Sequence, residues 1–283
     1  MALVISGRLS GSGRRVCRNH ARRDREFLIS HERRTHNLRH LAAGTAWILS
    51  FAYLLAEVFT AAAWNTPYSF ARDSISSLGV TTCDVDSCSP MHDVMNSSFI
   101  VLGALTLVGA VFLHRHIRSG REKKWILSLA VVIAVSTAAT GLFPANDGTI
   151  VHWTAVLPGF IARHVVLVLI AWHLWHERRL VAVWSALCAA VGVVGAILMV
   201  AQTLHFGLGE RLALYPMPTW MAVTGTAVLF ALARRTVLAR FDFTFARDPR
   251  RWIRRAAVES MPTLVREKPG KAEAGRDVPV ASV

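Results

Sequence analysis

Charged residues are scarce in this chain of 283 residues, and most of them are basic. Only 18% of the residues are charged, 53% are hydrophobic, and 32 basic side chains outnumber 18 acidic ones. Soluble domains carry about 25% charged residues, so the composition favours a protein dissolved in lipid. The formal charge of +14 would also suit a nucleic-acid binder, but the basic residues sit in blocks between apolar runs. That arrangement indicates a membrane surface and no nucleic-acid partner.

Motifs that would name an activity are also missing. The chain has no Gly-rich phosphate loop, dinucleotide fingerprint, HExxH pair or internal repeat. The first forty residues lack the apolar stretch and small-residue cleavage site of a cleavable signal peptide. We therefore expect no cofactor, and we expect the first apolar stretch to act as an uncleaved signal.

Six apolar stretches are long enough to cross a hydrocarbon core of ~30 Å, which takes roughly 20 helical residues. They cover residues 41–64, 90–113, 125–142, 150–175, 180–206 and 212–232. The sequence therefore predicts an all-α, polytopic membrane protein built as a bundle of six transmembrane helices. Pro158 and Gly159 should bend the fourth helix and free backbone carbonyls that a neighbour must satisfy.

The connections between these stretches predict the orientation, because cytoplasmic loops carry the excess of Lys and Arg. Ten Arg precede the first stretch, and the second-to-third and fourth-to-fifth connections and the tail are also basic. Both termini are therefore expected in the cytoplasm. This divides the chain into a basic segment (1–40), the membrane domain (41–235) and a basic, partly disordered tail (236–283). The expected location is a plasma membrane, which the chain crosses several times.

The basic ends have two interpretations. Arg14, Arg15 and the run at 247–255, which contains Trp252 and Ile253, can lie on anionic lipid headgroups. Ordinary positive-inside charge explains the same residues without a specific lipid site. Membrane lipids are the expected partners in either case.

Two of the four cysteines, Cys83 and Cys88, fall in the first connection predicted to be external. Only that compartment is oxidising, and a separation of five residues can close a disulfide. A disulfide is therefore expected. A zinc half-site would need two further ligands, and only His92 is near enough in sequence to supply one.

Polar residues gather in the connections at the predicted outer side. His92 and Asn96 are four residues apart and share a helical face, so both can turn toward a common mouth. The candidate site residues at this mouth are Tyr68, Arg72, Asp73, Ser74, Ser77, His92, Asn96, Asn146, His152, Glu210 and Arg211. Connections at a water interface are polar in any case, so each residue also has a purely structural interpretation.

Charged residues inside the predicted helices are costly and suggest function by default. Glu57 lies in the first helix and Arg163 in the fourth, at depths that an Arg side chain can bridge. An ion pair between Glu57 and Arg163 is therefore expected, either to fix helix register or to serve a transport path.

The chain resembles the bacterial and archaeal membrane family called domain of unknown function 998. The resemblance rests on residues 68–79 (YSFARDSISSLG), 81–83, 88–92 (CSPMH), 96–100, 141–146 with His152, and 209–211 (GER). It covers about residues 41–235 and implies a bundle of six to seven helices without a settled activity. The matching segments compose the polar mouth, which strengthens the case for a ligand site there.

Three functions fit this sequence. The leading one is a membrane protein whose outer mouth binds a lipid headgroup or a small polar ligand. The first alternative is a hydrolase of lipid or ester substrates that uses His92, His152 and an acidic or Ser partner, with or without zinc. The second is a small transporter that uses Glu57 and Arg163.

Overall fold

The structure is a computed structural model that describes residues 11–83, 88–114, 117 and 120–247. Within these ranges, it describes the side chains of residues 27–235, except those of residues 29 and 30. Its α-helices are α1 (Gly11–Leu49), α2 (Ala52–Ala62), α3 (His92–Leu113), α4 (Arg121–Leu142), α5 (Thr149–Leu174), α6 (Arg179–Val200), α7 (Phe206–Leu214) and α8 (Pro216–Arg247). Short 3₁₀ turns occupy Ser76–Gly79 and Ala145–Asp147. Among the described residues there is no strand, so the predicted all-α class is confirmed.

Six helical segments are long and apolar enough to cross a membrane: His31–Ala62, His92–Leu113, Arg121–Leu142, Thr149–Leu174, Arg179–Val200 and Phe206–Arg235. The number and order agree with the sequence prediction, and the chain is an integral membrane protein. The orientation of the termini remains a prediction. Residues 1–10 and 248–283 lie outside the described residues, and with them most of the basic run at 247–255.

The last two spans differ from the prediction in their boundaries. The fifth span ends at Val200, and two residues later Gln202 takes a positive φ of 53°. Residues 206–211, predicted as the end of the fifth span and the connection after it, form the first turns of the sixth. This places Glu210 and Arg211 on a helix of the bundle instead of in a loop.

The first and last spans are both interrupted, and the interruptions meet. The first is divided at Ser50 and Phe51, between α1 and α2, and the last at Tyr215, between α7 and α8. The Ser50 hydroxyl donates to the carbonyl of Trp47 (2.6 Å) and reaches the carbonyl of Pro218 (3.3 Å). Pro216 begins α8, where its missing N–H costs nothing. The halves at the predicted outer end, α2 and α7, are thereby separate short helices.

Near Pro158, where the sequence predicts a bend in α5, the backbone of that helix contacts its neighbour α4. The hydroxyl of Ser136 contacts the carbonyls of Ala155 and Val156 and accepts the N–H of Gly159 at 2.9 Å. A Cβ on Gly159 would lie 2.5 Å from that hydroxyl. Glycine at 159 therefore lets Ser136 satisfy the backbone groups that Pro158 leaves free.

The chain divides into two compact units, which are residues 1–234 and residues 235–283. The core of the first unit joins Trp47, Leu102, Leu167, Trp220 and Met221 with smaller side chains from several helices. All the features described below lie in this unit.

Candidate functional site

A buried ion pair joins the two short helices at the predicted outer end of the bundle. The Nε atom of Arg211 on α7 lies 2.9 Å from Oε1 of Glu57 on α2, and both side chains are almost fully buried. The hydroxyl of Tyr215 donates to the same oxygen at 2.8 Å. The Oε2 atom of Glu57 has no hydrogen-bond partner among the described residues.

The predicted pairing of Glu57 with Arg163 is therefore wrong. Arg163 on α5 donates from Nε to the carbonyl of Gly159 (3.0 Å) and has no carboxylate within 4 Å in the described part of the chain. The prediction failed because Arg211 was assigned to a loop. Its place on α7 gives Glu57 a nearer cation.

Arg211 also holds the segment formed by residues 68–79, which we call the cover segment. Its Nη1 atom donates to the carbonyls of Phe70 (2.7 Å), Asp73 (2.9 Å) and Gly207 (2.9 Å). Its Nη2 atom donates to the hydroxyl of Tyr68 at 2.5 Å. All three guanidinium nitrogens are thus engaged, and one side chain binds α2, α7 and the cover segment together.

The protonated hydroxyl of Tyr68 also helps to attach the cover segment to α7. Burial raises the pKa of Tyr68 to about 12, although the neighbouring guanidinium acts in the opposite direction. The protonated hydroxyl donates to the carbonyl of Ser74 at 2.8 Å while it accepts from Arg211. Tyr68 therefore fixes the fold of its own segment and its attachment to α7.

Two more residues of α7 hold the cover segment. The backbone N–H of Ile75 donates to Oε2 of Glu210 at 2.6 Å. Gly207 is packed so closely that a Cβ there would lie 2.3 Å from the carbonyl oxygen of Asp73. We call Gly207, Glu210 and Arg211, with Glu57 and Tyr68, the latch.

The polar residues within the cover segment shape its turns. The N–H of Ser69 donates to the Asp73 carboxylate (2.7 Å), and the N–H of Ser77 donates to the Ser74 hydroxyl (3.1 Å). Such side-chain contacts to nearby backbone are typical of Asp and Ser in turns. The exposed guanidinium of Arg72 makes no hydrogen bond or ion pair with a described residue.

The far end of the cover segment is attached to α3. Asn96 donates to the carbonyl of Gly79 (2.9 Å), and Ser89 donates to the carbonyl of Leu78 (2.6 Å). The ring of His92 donates from Nδ1 to the Ser89 carbonyl (2.8 Å). Cys83 and Cys88 form a disulfide with Cα atoms 4.3 Å apart, in agreement with the sequence prediction.

Beneath the cover segment is a cavity of about 260 Å³. Ser74, Ile75 and Ser76 line it on one side, and α2, α3, α4, α5, α7 and α8 supply the other walls. The polar lining residues are Tyr53, Ser74, Ser76, Thr137, Thr140, Thr149, His152, Trp153, Arg163 and Glu210. The apolar part of the wall includes Phe99, Leu102, Val156 and Leu214.

Four polar groups on this wall have unused hydrogen-bonding capacity. The hydroxyls of Tyr53 and Thr137 make no hydrogen bond with a described residue, although both side chains are buried. His152 donates from Nδ1 to the carbonyl of Phe143 (2.8 Å), which leaves Nε2 free as an acceptor. Arg163 uses only Nε. Because buried polar groups are normally paired, these groups can receive a ligand or water.

The structure gives the candidate residues several different roles. Ser74, His152 and Glu210 line the cavity, whereas Tyr68, Asp73, Ser77 and Arg211 belong to the latch or the turns of the cover segment. Asn96 attaches the segment to α3, His92 binds Ser89 just before that helix, and Asn146 binds Thr81 (2.8 Å). Arg72 is exposed away from the cavity lining. Neither His92 nor Asn96 lines this cavity.

Sequence reasoning did not identify Tyr53 as a site residue and assigned Arg163 to the wrong partner. Tyr53 is an isolated polar tip in an apolar stretch, four residues before Glu57 on the same helical face. That spacing was the one available signal. Within the described ranges, no three His, Cys, Asp or Glu side chains gather as metal ligands would, so the metal hydrolase has no ligand set there.

The fold and site define a class: a six-span helical membrane protein with a polar cavity held under a latched cover segment. The model of the family described as "Protein of unknown function (DUF998)" matches residues 41–227, more than half of the chain. The chain belongs to this family. No curated protein and no solved structure matches it.

Proposed function

We propose that this DUF998 protein binds a small ligand with an anionic group in the cavity beneath the cover segment, and that Arg163 is the principal contact. The observation that carries the proposal is a guanidinium on the cavity wall, inside a membrane span, without a carboxylate partner among the described residues. An unpaired charge at this depth costs on the order of 3 kcal/mol or more. An anionic ligand would remove much of that cost.

The neighbours of Arg163 support the same ligand chemistry. The hydroxyls of Tyr53 and Thr137 can donate to the oxygens of a phosphate or a carboxylate. Tyr53 lies close enough to Arg163 for the two to interact electrostatically. Arg pairs well with either anion because its planar fork offers two parallel N–H groups.

The cavity dimensions limit the ligand. Typical pockets for drug-sized molecules measure roughly 300–1,000 Å³, and this cavity of about 260 Å³ is smaller. The ligand is therefore a small molecule or the headgroup of a lipid, with any acyl chains outside the cavity.

The alternatives have less support. A transporter that used Glu57 would need that carboxylate on its path, but Glu57 is fully buried and bound to Arg211 and Tyr215. A hydrolase that used both His92 and His152 would need them together, yet only His152 lines the cavity.

The proposal is tested by ligand-dependent thermal stability of the full chain in detergent. Sodium phosphate and sodium propionate are compared with sodium chloride at equal ionic strength. At a ligand concentration 100 times Kd, binding stabilises the folded state by about 2.7 kcal/mol. We expect at least one of the two anions to raise Tm, and Arg163→Gln to weaken its binding by roughly tenfold or more.

Arg72→Gln is the matched control, because Arg72 is an exposed arginine at the same end of the bundle and does not line the cavity. It should leave the anion effect unchanged. The proposal is wrong if neither anion exceeds chloride, or if Arg163→Gln responds as the unmodified chain does.

A further inference from the structure

The cavity wall carries two charged residues of opposite sign. Arg163 on α5 is one, and Glu210 on α7 is the other; the remaining lining residues are uncharged side chains and the imidazole of His152, whose Nδ1 atom donates to the carbonyl of Phe143. The two side chains are not paired with each other, because no nitrogen of Arg163 lies within 4 Å of a carboxylate oxygen among the described residues.

Glu210 has no cationic partner of its own in the described part of the chain. Its Oε2 atom accepts the backbone N–H of Ile75. The adjacent Arg211 directs its guanidinium to Glu57 and the cover segment. The Glu210 carboxylate therefore lines the cavity without an opposite charge among the described residues, and the same is true of the Arg163 guanidinium on α5.

Charge balance then selects the ligand. A simple anion would pair Arg163 but leave Glu210 uncompensated in a medium of low dielectric constant, and a simple cation would do the reverse. A molecule that carries both charges would pair both groups and keep the cavity neutral. An unpaired buried charge is costly, and a ligand that pairs both groups would remove that cost.

We propose that the ligand is a zwitterion, whose anionic group binds Arg163 and whose ammonium group binds Glu210. This rests on the proposed function and adds the second half of the ligand. Tyr53, Arg163 and Glu210 line the same cavity of about 260 Å³, so one small molecule in the cavity can contact both charged side chains. Aminoalkyl phosphates and short amino acids have this chemistry, as does the headgroup of a phosphatidylethanolamine.

The test uses pairs of compounds that differ only in the ammonium group. Monoethyl phosphate is compared with phosphoethanolamine, and propionate with β-alanine, by the Tm shift and by calorimetric titration of the full chain in detergent. In at least one pair, we expect the zwitterion to bind at least about tenfold tighter than the simple anion. Glu210→Gln should abolish this preference and keep the binding of the simple anion.

Glu210→Gln keeps an oxygen for the N–H of Ile75, so the cover segment should remain attached. Should the variant fail to fold, the paired compounds still decide the question in the unmodified chain. If a simple anion binds in an Arg163-dependent way without any gain from the ammonium group, the zwitterion inference is wrong and the proposed function stands. If no compound of either pair binds, both are wrong.

A further arm separates the two sources of the ligand. Dihexanoyl phosphatidylethanolamine is compared with dihexanoyl phosphatidic acid and with free phosphoethanolamine. Tighter binding of the zwitterionic lipid than of both others indicates a lipid headgroup, and tighter binding of free phosphoethanolamine indicates a soluble ligand. Tighter binding of the phosphatidic acid than of both others would contradict the role of Glu210.

Discussion

The latch and the cavity lie side by side, contain similar residue types, and use them in opposite ways. In the latch, Arg211 engages every guanidinium nitrogen, and the Tyr68 hydroxyl both accepts and donates. In the cavity, Arg163 uses one nitrogen, and the Tyr53 hydroxyl makes no hydrogen bond with a described residue. Satisfied polar groups maintain a fold, whereas unsatisfied ones are available to a ligand. Arg211 and Tyr68 are therefore expected to serve stability, and Arg163 and Tyr53 to serve binding.

The largest effect should come from breaking the buried ion pair. Removing one partner of such a pair typically costs about 3–5 kcal/mol, because the other charge is left uncompensated. Arg211→Gln and Glu57→Gln should each lower thermal stability in detergent by that order, and the double variant should recover part of the loss. Arg163→Gln is the comparison, and it should lower stability little or raise it. A loss for Arg163→Gln equal to that for Arg211→Gln would erase the distinction between latch and cavity.

A smaller effect is expected from crowding the contact between α7 and the cover segment. In Gly207→Ala the new Cβ would lie 2.3 Å from the carbonyl oxygen of Asp73, which is backbone and cannot rotate away. Overpacking of this kind costs roughly 1–3 kcal/mol, and it should also increase proteolytic cleavage within residues 68–79. Gly120→Ala is the control, since its Cβ would meet only the flexible end of Glu122. Equal stability of the two variants would show that α7 does not hold the segment tightly.

The effect of Tyr68→Phe should be of the order of 1–2 kcal/mol, because the change removes the donor to Ser74 and the acceptor for Arg211. It should also alter the alkaline pH dependence. The folded-state pKa of about 12 lies above the ordinary value of 10.0. The contribution of Tyr68 is therefore complete below pH 10 and is lost as the pH rises toward 12. The free energy of unfolding measured over this range should fall less steeply in Tyr68→Phe than in the unmodified chain; identical slopes would contradict the buried, protonated hydroxyl.

The smallest stability effect is expected for Tyr53→Phe, which removes a hydroxyl that has no described partner. The change in the free energy of unfolding should stay within about 0.5 kcal/mol, while the affinity for phosphate or propionate falls. Measured beside Tyr68→Phe, this substitution compares the same chemical change in the two regions. A large loss of stability with unchanged anion binding would place Tyr53 with the latch.

The sequence predicted the helices well but did not predict which residues contact each other. The six spans, the helical class and the family follow from long apolar runs and the 68–100 region, because each is a local property of the chain. The disulfide was equally accessible, since only Cys83 and Cys88 share a connection predicted to be external. Glu57 was correctly identified as a residue that must be paired inside the membrane.

The choice of partner was not accessible, because it depends on where one helix ends and the next begins. The last span begins at Phe206 instead of Leu212, which moved Arg211 from a loop to α7 and gave Glu57 its cation. The same shift put Glu210 on the cavity wall, and Arg163 has no carboxylate within 4 Å in the described part of the chain. His92 and Asn96 share a helical face, as predicted, but Asn96 binds the end of the cover segment and His92 binds Ser89, and neither lines the cavity.

By itself, then, the sequence determined that this chain is a helical membrane protein with six spans and that its costly polar residues cluster near one end. The reason is that burial in lipid requires long apolar helices, and such helices are recognisable as runs of residue types. Only the tertiary structure decided which arginine pairs with Glu57 and which one has no carboxylate within 4 Å among the described residues. That distinction rests on contacts between residues far apart in the chain, such as Glu57 with Arg211, and no local pattern records them.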